Sequence, residues 1–305
     1  MNQFLEQAKQ VLPDLTILTE EPMKLHTSFR IGGVADYFCT PSAEELRILQ
    51  KLAEKMELPL TVIGNGSNLL VSDKGIRGIV VEVSKGMSDL SVKGTRIIAG
   101  AGVLLSKIAN AALMNSLTGM EFAAGIPGSV GGAVVMNAGA YGGEMKEIVE
   151  SVKVLTPEGE FLTISVEELD LSYRHSIIPE RGYVITEVTL KLLPGDKESI
   201  RSRMEELRVM RTEKQPLNYP SAGSTFKRPT GYFAGKLIMD ADLRGYTVGG
   251  AQVSEKHCGF VINKGDATCQ DVLQLMQEVR DKVEAEFNVT LEPEVRIIGD
   301  FFFFF

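Results

Sequence analysis

The sequence feature that most restricts the fold is residues 122–143, a stretch of 22 residues without a charged side chain. An uncharged stretch of this length could cross a membrane as a single helix. Seven of its residues are glycine, and Pro127, Ser129 and Asn137 interrupt it further. Because glycine and proline disfavour a continuous helix, we expect glycine-rich loops inside a folded domain and no membrane partner.

Composition narrows the class of protein. The chain has 305 residues, of which 44% are hydrophobic, and this suits a large core divided over two or three domains. Its formal net charge is -8 and no basic patch is evident, so we expect no nucleic-acid partner. Residues 1–12 have the pattern of an amphipathic helix instead of a signal peptide, which favours a cytoplasmic protein.

The cysteines and histidines indicate neither a metal site nor a nucleophile. Cys39, Cys258 and Cys269 are far apart and show no metal-binding spacing. We expect reduced thiols in a reducing compartment, as ordinary buried or rim residues. His257 stands next to Cys258, but further ligands are not in evidence, so no metal is expected.

Hydrophobic periodicity predicts helices that alternate with strands. Ser42 and Glu45 fit a capping box at the start of the first long helix. A first α/β unit ends near residue 85 and a second near residue 195. Helices are predicted at 43–56, 104–115, 198–211 and 270–287, and strands at 59–63, 76–83, 96–99, 152–165 (with a turn at 157–159), 183–192 and 293–298.

A glycine-containing loop, residues 64–68, follows directly on an apolar predicted strand. Glycine allows positive φ and lets successive backbone N–H groups converge on phosphate oxygens. The loop lacks the third glycine of the dinucleotide-binding fingerprint, because Leu69 stands there, and it lacks a Walker lysine. A phosphate-binding loop and an ordinary tight turn are both consistent with this pattern.

A second glycine-rich loop, residues 125–133, favours the ligand-binding interpretation. Two uncharged glycine loops in neighbouring α/β units can enclose a diphosphate and a planar ring. The alternative is a packing seam of small residues. A seam needs fewer glycines than this loop contains, whereas close approach of the backbone to a ligand needs them all.

Three side chains are suited to catalysis, and each has an ordinary alternative. Ser224 lies in a hydroxyl-rich loop beside Lys227, which suits proton donation but also describes a simple polar loop. Arg174 could bind a carboxylate with two hydrogen bonds or form a solvated salt bridge. Glu294, at the entry to an apolar predicted strand, would lie partly out of water or at a surface strand edge.

Five motifs in this order resemble the UDP-N-acetylenolpyruvoylglucosamine reductase family, and the similarity spans nearly the whole chain. Five ordered motifs are far more specific than any loop taken separately. They are GNGSN at 64–68, GIPGSVGGAVVMNAGAYGGE at 125–144, YRHS at 173–176, PSAGSTFKRP at 220–229 and EPEVRIIG at 292–299.

The resemblance implies an α+β protein with an FAD-binding fold of the vanillyl-alcohol-oxidase type. Residues 1–85 and 86–195 would form two α/β lobes, and residues 196–305 a C-terminal α+β substrate domain. NADPH would reduce bound FAD, and hydride would then pass to the enolpyruvyl group of a UDP-sugar to give UDP-N-acetylmuramate for peptidoglycan. The chain between Arg174 and Val188 is short, so it resembles the subclass without an inserted tyrosine-bearing loop.

The resemblance also assigns roles to residues. Ser224 would donate the proton, while Arg174 and Glu294 would stabilise the enolic intermediate. Tyr173, Lys214 and Lys227 are expected to contact substrate. The residues expected to hold FAD are Gly64, Asn65, Gly66, Ser67, Asn68, Gly125, Ile126, Gly128, Ser129 and Gly132.

Two other functions compete with this one. Another FAD-dependent oxidoreductase of the same fold would share the glycine loops, and so would a nonenzymatic flavin-binding sensor. A sensor has no need of a proton donor, so Ser224, Arg174 and Glu294 argue against it. We expect a monomer whose partners are a UDP-sugar and NADPH. The five phenylalanines at 301–305 match no family pattern and would either pack in a groove or promote association.

Overall fold

The computed structural model describes residues 3–301, which form two compact units. Unit 1 comprises the chain up to residue 19, residues 37–65 and residues 78–210, and unit 2 comprises residues 20–36, 66–77 and those from 211 onward. Two early segments therefore group with the C-terminal part of the chain. The division into two FAD-binding lobes and a substrate domain, with boundaries at residues 85 and 195, stays a prediction.

The described residues mix helices and strands in the proportions of an α+β protein. The helices are α1 (Gln3–Val11), α2 (Ala43–Lys55), α3 (Leu105–Met114), α4 (Val130–Val135), α5 (Lys197–Lys214), α6 (Ala234–Asp240) and α7 (Cys269–Phe287). The strands are β1 (Ile17–Pro22), β2 (Val34–Cys39), β3 (Leu60–Ile63), β4 (Leu69–Val71), β5 (Ile76–Glu82), β6 (Leu90–Lys93), β7 (Arg96–Gly100), β8 (Leu117–Thr118), β9 (Gly139–Ala140), β10 (Gly143–Glu144), β11 (Val149–Leu155), β12 (Phe161–Ser165), β13 (Val184–Lys191), β14 (Leu193–Pro194), β15 (Ser221–Ser224), β16 (Thr247–Val248), β17 (Ala251–Val253), β18 (Phe260–Asn263) and β19 (Arg296–Ile298).

Unit 1 contains an antiparallel sheet in the order β12-β11-β13-β7-β6. In a separate four-stranded sheet of order β1-β2-β5-β3, strand β3 runs parallel to residues 79–82 of β5, and both segments belong to unit 1. Helix α2 begins at the predicted capping box, in which Ser42 and Glu45 each accept the other's backbone N–H. Leu46, Leu49 and Leu52 are buried and attach this helix to the core. Helices α3 and α4 contact β7, so the glycine-rich stretch lies against the antiparallel sheet.

Unit 2 is built on an antiparallel sheet in the order β15-β18-β17-β16. Helix α7 contacts β16 and β17 and confirms the predicted helix at 270–287. The carboxylate of Asp73 accepts the N–H groups of Cys269 and Gln270, which ties residues 66–77 to the start of α7. Phe301 is partly buried against the core of this unit, and the predictions for the rest of the phenylalanine tail fall on residues 302–305, outside the described residues.

The uncharged stretch 122–143 folds as the sequence predicts. It contains the six-residue helix α4 and part of the β9–β10 hairpin, joined by turns. Among residues 3–301, no helix is both long enough and apolar enough to span a membrane.

One predicted strand is shorter than expected. The sequence pattern predicts a strand at 293–298, but β19 begins only at Arg296. Pro293 forms an isolated bridge with Phe226 instead. Proline has no N–H to donate to a strand ladder, so the segment before Arg296 pairs irregularly and Glu294 precedes the strand.

Candidate functional site

Gly64 of the first glycine loop meets Ser129 of the second inside unit 1. Gly64 follows β3 directly, and a Cβ built on it would lie 2.6 Å from the hydroxyl oxygen of Ser129 and 3.9 Å from Cα of Gly132. Real Cβ atoms do not approach other atoms as closely as the first of these distances. A side chain at Gly64 would therefore displace the Ser129 hydroxyl, so this glycine lets the first loop lie directly against the second.

The Ser129 hydroxyl is the group of the second loop that lies nearest to Gly64. The residue is 2% exposed, and its Oγ has no hydrogen-bond partner among the described residues. A buried hydroxyl without a partner costs about 1–3 kcal/mol, so such groups in native proteins call for an explanation. A polar ligand atom within hydrogen-bond distance of Ser129 Oγ would supply the missing partner.

The rest of the second loop is anchored by its backbone. The N–H of Val130 donates to Val103 O over 2.8 Å, and that of Gly131 donates to Ala101 O over 2.9 Å. A Cβ on Gly131 would lie 2.8 Å from Cβ of Ala101, so at this glycine the packing-seam interpretation holds. Gly132, one residue further, is exposed.

The first loop divides in the same way. Gly66 has φ +61, and a Cβ on it would lie 1.9 Å from the carbonyl oxygen of His26. Close backbone packing thus requires this glycine, as the tight-turn interpretation supposes. Of the other residues expected to hold FAD, Asn65 and Gly125 are exposed, and Ser67, Ile126 and Gly128 are half-buried.

Unit 2 brings Ser224 and Glu294 onto adjacent segments. Ser224 ends β15, and the N–H of Glu294 donates to the carbonyl of the next residue, Thr225, over 2.8 Å. The side-chain amide of Asn68 donates to Glu294 O over 3.1 Å. Ser224, Glu294 and Asn68 are all half-buried. Asn68, expected to hold FAD, therefore also fixes the main chain at Glu294.

Arg174 sits in a tight turn of unit 1. Ser172 and His175 form a bridge around it, and Arg174 has φ 56, which is uncommon for a residue with a side chain. Its guanidinium carbon lies 5.0 Å from the ring centroid of Tyr173, within range of a cation–π contact. Tyr173 is 52% exposed, so both side chains can reach a ligand.

Asn137, which the sequence did not single out, braces this turn. Its side-chain amide donates to Ser172 O over 3.1 Å and to Glu144 Oε2 over 2.8 Å, and its Oδ1 accepts the N–H of Lys146 over 2.9 Å. Asn137 is buried with φ 39, a conformation that asparagine tolerates better than most residues. An asparagine among glycines is the one signal in the sequence that could have pointed to it.

Replacing Asn137 by glycine is expected to loosen the Arg174 turn. Because glycine adopts positive φ without steric cost, the variant reports the lost hydrogen bonds. We expect the free energy of unfolding to fall by about 2 kcal/mol and the amides of 172–175 to exchange hydrogen faster. Denaturant titration and hydrogen-exchange mass spectrometry measure both. Asn115→Gly, which removes an exposed hydrogen bond to Ala111 O, is the control, and unchanged exchange at 172–175 would contradict the bracing role.

The two lysines expected to contact substrate differ in setting. Lys227 pairs with Glu292, Nζ to Oε2, over 3.2 Å. Lys214 is exposed at the last residue of α5. An exposed ion pair contributes only about 0–1 kcal/mol, so Lys227 can exchange its partner for a ligand anion at little cost.

The cysteines are buried thiols, as the sequence predicts. Burial raises the pKa of Cys39 to about 12, with a further contribution from the Glu45 carboxylate. Burial also raises the pKa of Cys269 to about 12, helped by Asp73. Since the thiolate is the reactive form, neither residue is a nucleophile at neutral pH. Within residues 3–301 no group of three His, Cys, Asp or Glu side chains could hold a metal ion.

Two segments of the chain match known protein families. Residues 35–165, which include Gly64 and Ser129, match the family model described as FAD binding domain. The fold and this match therefore define an FAD-binding α+β protein. Residues 215–298 match the family model of the UDP-N-acetylenolpyruvoylglucosamine reductase C-terminal domain.

Full-length relatives carry the same name. The UDP-N-acetylenolpyruvoylglucosamine reductase of Agathobacter rectalis is 56% identical, over 99% of this chain and 100% of the relative. That of Caldanaerobacter subterraneus subsp. tengcongensis is 52% identical, over 97% of this chain and 98% of the relative. A crystal structure of UDP-N-acetylenolpyruvylglucosamine reductase from Thermus caldophilus superposes with a TM-score of 0.79 at 37% identity, over 93% of this chain and 98% of that one. The chain belongs to the UDP-N-acetylenolpyruvoylglucosamine reductase family.

Proposed function

We propose that this chain is an NADPH-dependent flavoenzyme that reduces the enolpyruvyl group of UDP-N-acetylglucosamine enolpyruvate. The product is UDP-N-acetylmuramate, a precursor of peptidoglycan. The observation that carries the proposal is the hydrogen bond between Glu294 N and Thr225 O. This bond holds Glu294, which is assigned to the enolic intermediate, on the segment next to Ser224, which is assigned to proton donation.

The first loop and the second loop fit FAD. Gly64 lies directly against Ser129, and the buried Ser129 hydroxyl, which has no hydrogen-bond partner among the described residues, can donate to a ligand oxygen. Asn65 and Gly125 are exposed on the same two loops. When bound, FAD supplies hydride chemistry that protein side chains lack.

Ser224 is assigned the proton transfer. Reduction of the enolpyruvyl double bond adds one hydride to its terminal carbon and one proton to the carbon that bears the carboxylate, while NADPH becomes NADP+. Hydride addition makes that second carbon strongly basic, so even a serine hydroxyl can protonate it in a preorganised site. The half-buried position of Ser224 limits competition from water.

Arg174 and Glu294 are assigned to the developing charge. As hydride adds, negative charge moves onto the substrate carboxylate, and a planar, permanently charged guanidinium can bind that group through two hydrogen bonds. Glu294 stabilises the enolic form together with Arg174. Tyr173, Lys214 and Lys227 are assigned to the remainder of the UDP-sugar, where two ammonium groups suit a diphosphate. We further propose that the enzyme is a monomer and that it acts in the cytoplasm.

Absorbance spectroscopy tests the function directly. We expect the purified chain, supplied with FAD, to be yellow, to lose its colour anaerobically with NADPH, and to regain it with UDP-N-acetylglucosamine enolpyruvate. Failure to bind FAD would overturn the proposal. Bleaching by NADPH without recovery by the enolpyruvyl substrate would indicate another flavin oxidoreductase, and bound flavin that NADPH does not bleach would indicate a sensor.

A further inference from the structure

Thr225 links the segment that ends at Ser224 to the segment that contains Glu294. It is 4% exposed and lies between Ser224, its chain neighbour, and the segment that contains Glu294. Its N–H donates to Gly259 O over 2.9 Å, its carbonyl accepts from Glu294 N over 2.8 Å, and its hydroxyl accepts from Val261 N over 2.9 Å. Three chain segments therefore converge on one buried residue.

The hydroxyl is the part of Thr225 that only a few residue types can supply. Strand β15 pairs with β18 at Ser221 and Ser224, with a register irregularity between them. Past Ser224, the N–H of Val261 in β18 donates to the Thr225 side chain instead of to a backbone carbonyl of β15. Val261 is 2% exposed, so without that hydroxyl a buried donor would lose its acceptor, at a cost of about 1–3 kcal/mol.

The turn before β18 completes the arrangement. The N–H of Gly259 donates to Nδ1 of His257 over 3.1 Å, while the Gly259 carbonyl accepts from Thr225. Burial lowers the pKa of His257, which keeps its imidazole neutral and able to accept at neutral pH. The residues that contact Thr225 are thus themselves held in place.

We propose that the Thr225 hydroxyl is a positioning group that sets the separation of Ser224 and Glu294. The inference rests on the proposed function of those two residues. Displacements of a reacting group by about 1 Å can cost 100-fold in rate, and a side-chain hydrogen bond that fixes the end of β15 limits such displacements. Thr225 touches no reacting atom in this scheme and acts through its neighbours.

The test compares Thr225→Val, which keeps the shape and loses the hydroxyl, with Thr225→Ser, which keeps the hydroxyl. We expect Thr225→Val to slow flavin reoxidation by the enolpyruvyl substrate roughly tenfold, to leave flavin reduction by NADPH within about twofold, and to speed hydrogen exchange at the amides of Val261 and Glu294. Thr225→Ser should restore both the reoxidation rate and the slow exchange. Anaerobic stopped-flow absorbance and hydrogen-exchange mass spectrometry give these readouts.

Thr156→Val is the matched control. The Thr156 hydroxyl is also buried and also accepts a backbone N–H, that of Glu160, over 3.3 Å. This control should leave both half-reactions unchanged. Equal slowing of both half-reactions in Thr225→Val, or no recovery in Thr225→Ser, would overturn the positioning role. A wild-type enzyme that the enolpyruvyl substrate does not reoxidise would instead refute the proposed function itself.

Discussion

Ser224→Ala retains flavin reduction by NADPH at the wild-type rate but loses about 10²–10⁴-fold in reoxidation by the enolpyruvyl substrate, the range expected for removal of a general acid. Only the second half-reaction needs a proton at carbon, and alanine has none to give. Because Ser224 is half-buried, water replaces the hydroxyl poorly. Anaerobic stopped-flow absorbance of each half-reaction measures the two rates separately.

Ser221→Ala is the control for this result. Ser221 begins the same strand, β15, and its carbonyl accepts the hydroxyl of Ser28 over 2.7 Å, a contact that the substitution leaves intact. Both half-reactions should stay within about twofold of wild type. If Ser224→Ala slowed both half-reactions equally, Ser224 would have a structural role and another group would have to deliver the proton.

Elements with strong local signals were predictable from the sequence. Helix α2 begins where Ser42 and Glu45 form the capping box, because that interaction involves residues three apart. The interruption of 122–143 by glycines likewise determines that no long helix forms there. By contrast, β19 is shorter than predicted, because Pro293 pairs with Phe226 through a contact that no local pattern reveals.

The site was predictable as a set of loops but not as a set of contacts. Glycine spacing pointed to both loops, yet it could not tell that Gly64 lies against the Ser129 hydroxyl whereas Gly66 packs against the His26 carbonyl. The roles of Thr225 and Asn137 escaped notice because each depends on a distant partner, Val261 for Thr225 and Ser172 for Asn137. Their roles depend on the paths of other segments, which periodicity and propensity do not encode.

Gly64→Val is expected to weaken FAD binding strongly while the protein stays folded. The added Cβ would lie 2.6 Å from the Ser129 hydroxyl oxygen, so that hydroxyl must turn away and the valine side chain adds bulk between the loops. We expect the dissociation constant for FAD to rise at least roughly 100-fold, equal to about 2.7 kcal/mol. Calorimetric titration of the apoprotein with FAD measures it, and circular dichroism checks the fold.

Gly265→Val is the matched control, because a Cβ on Gly265 has no heavy atom within 4 Å and the residue is exposed. It adds the same side chain outside both loops and should bind FAD as the wild type does. Removing the hydroxyl alone, in Ser129→Ala, should weaken FAD binding by a smaller factor, roughly tenfold for one lost hydrogen bond. We expect FAD to bind more weakly to Gly64→Val than to Ser129→Ala, because valine both displaces the Ser129 hydroxyl and adds bulk between the loops. Wild-type affinity in Gly64→Val would mean that FAD does not enter between these loops.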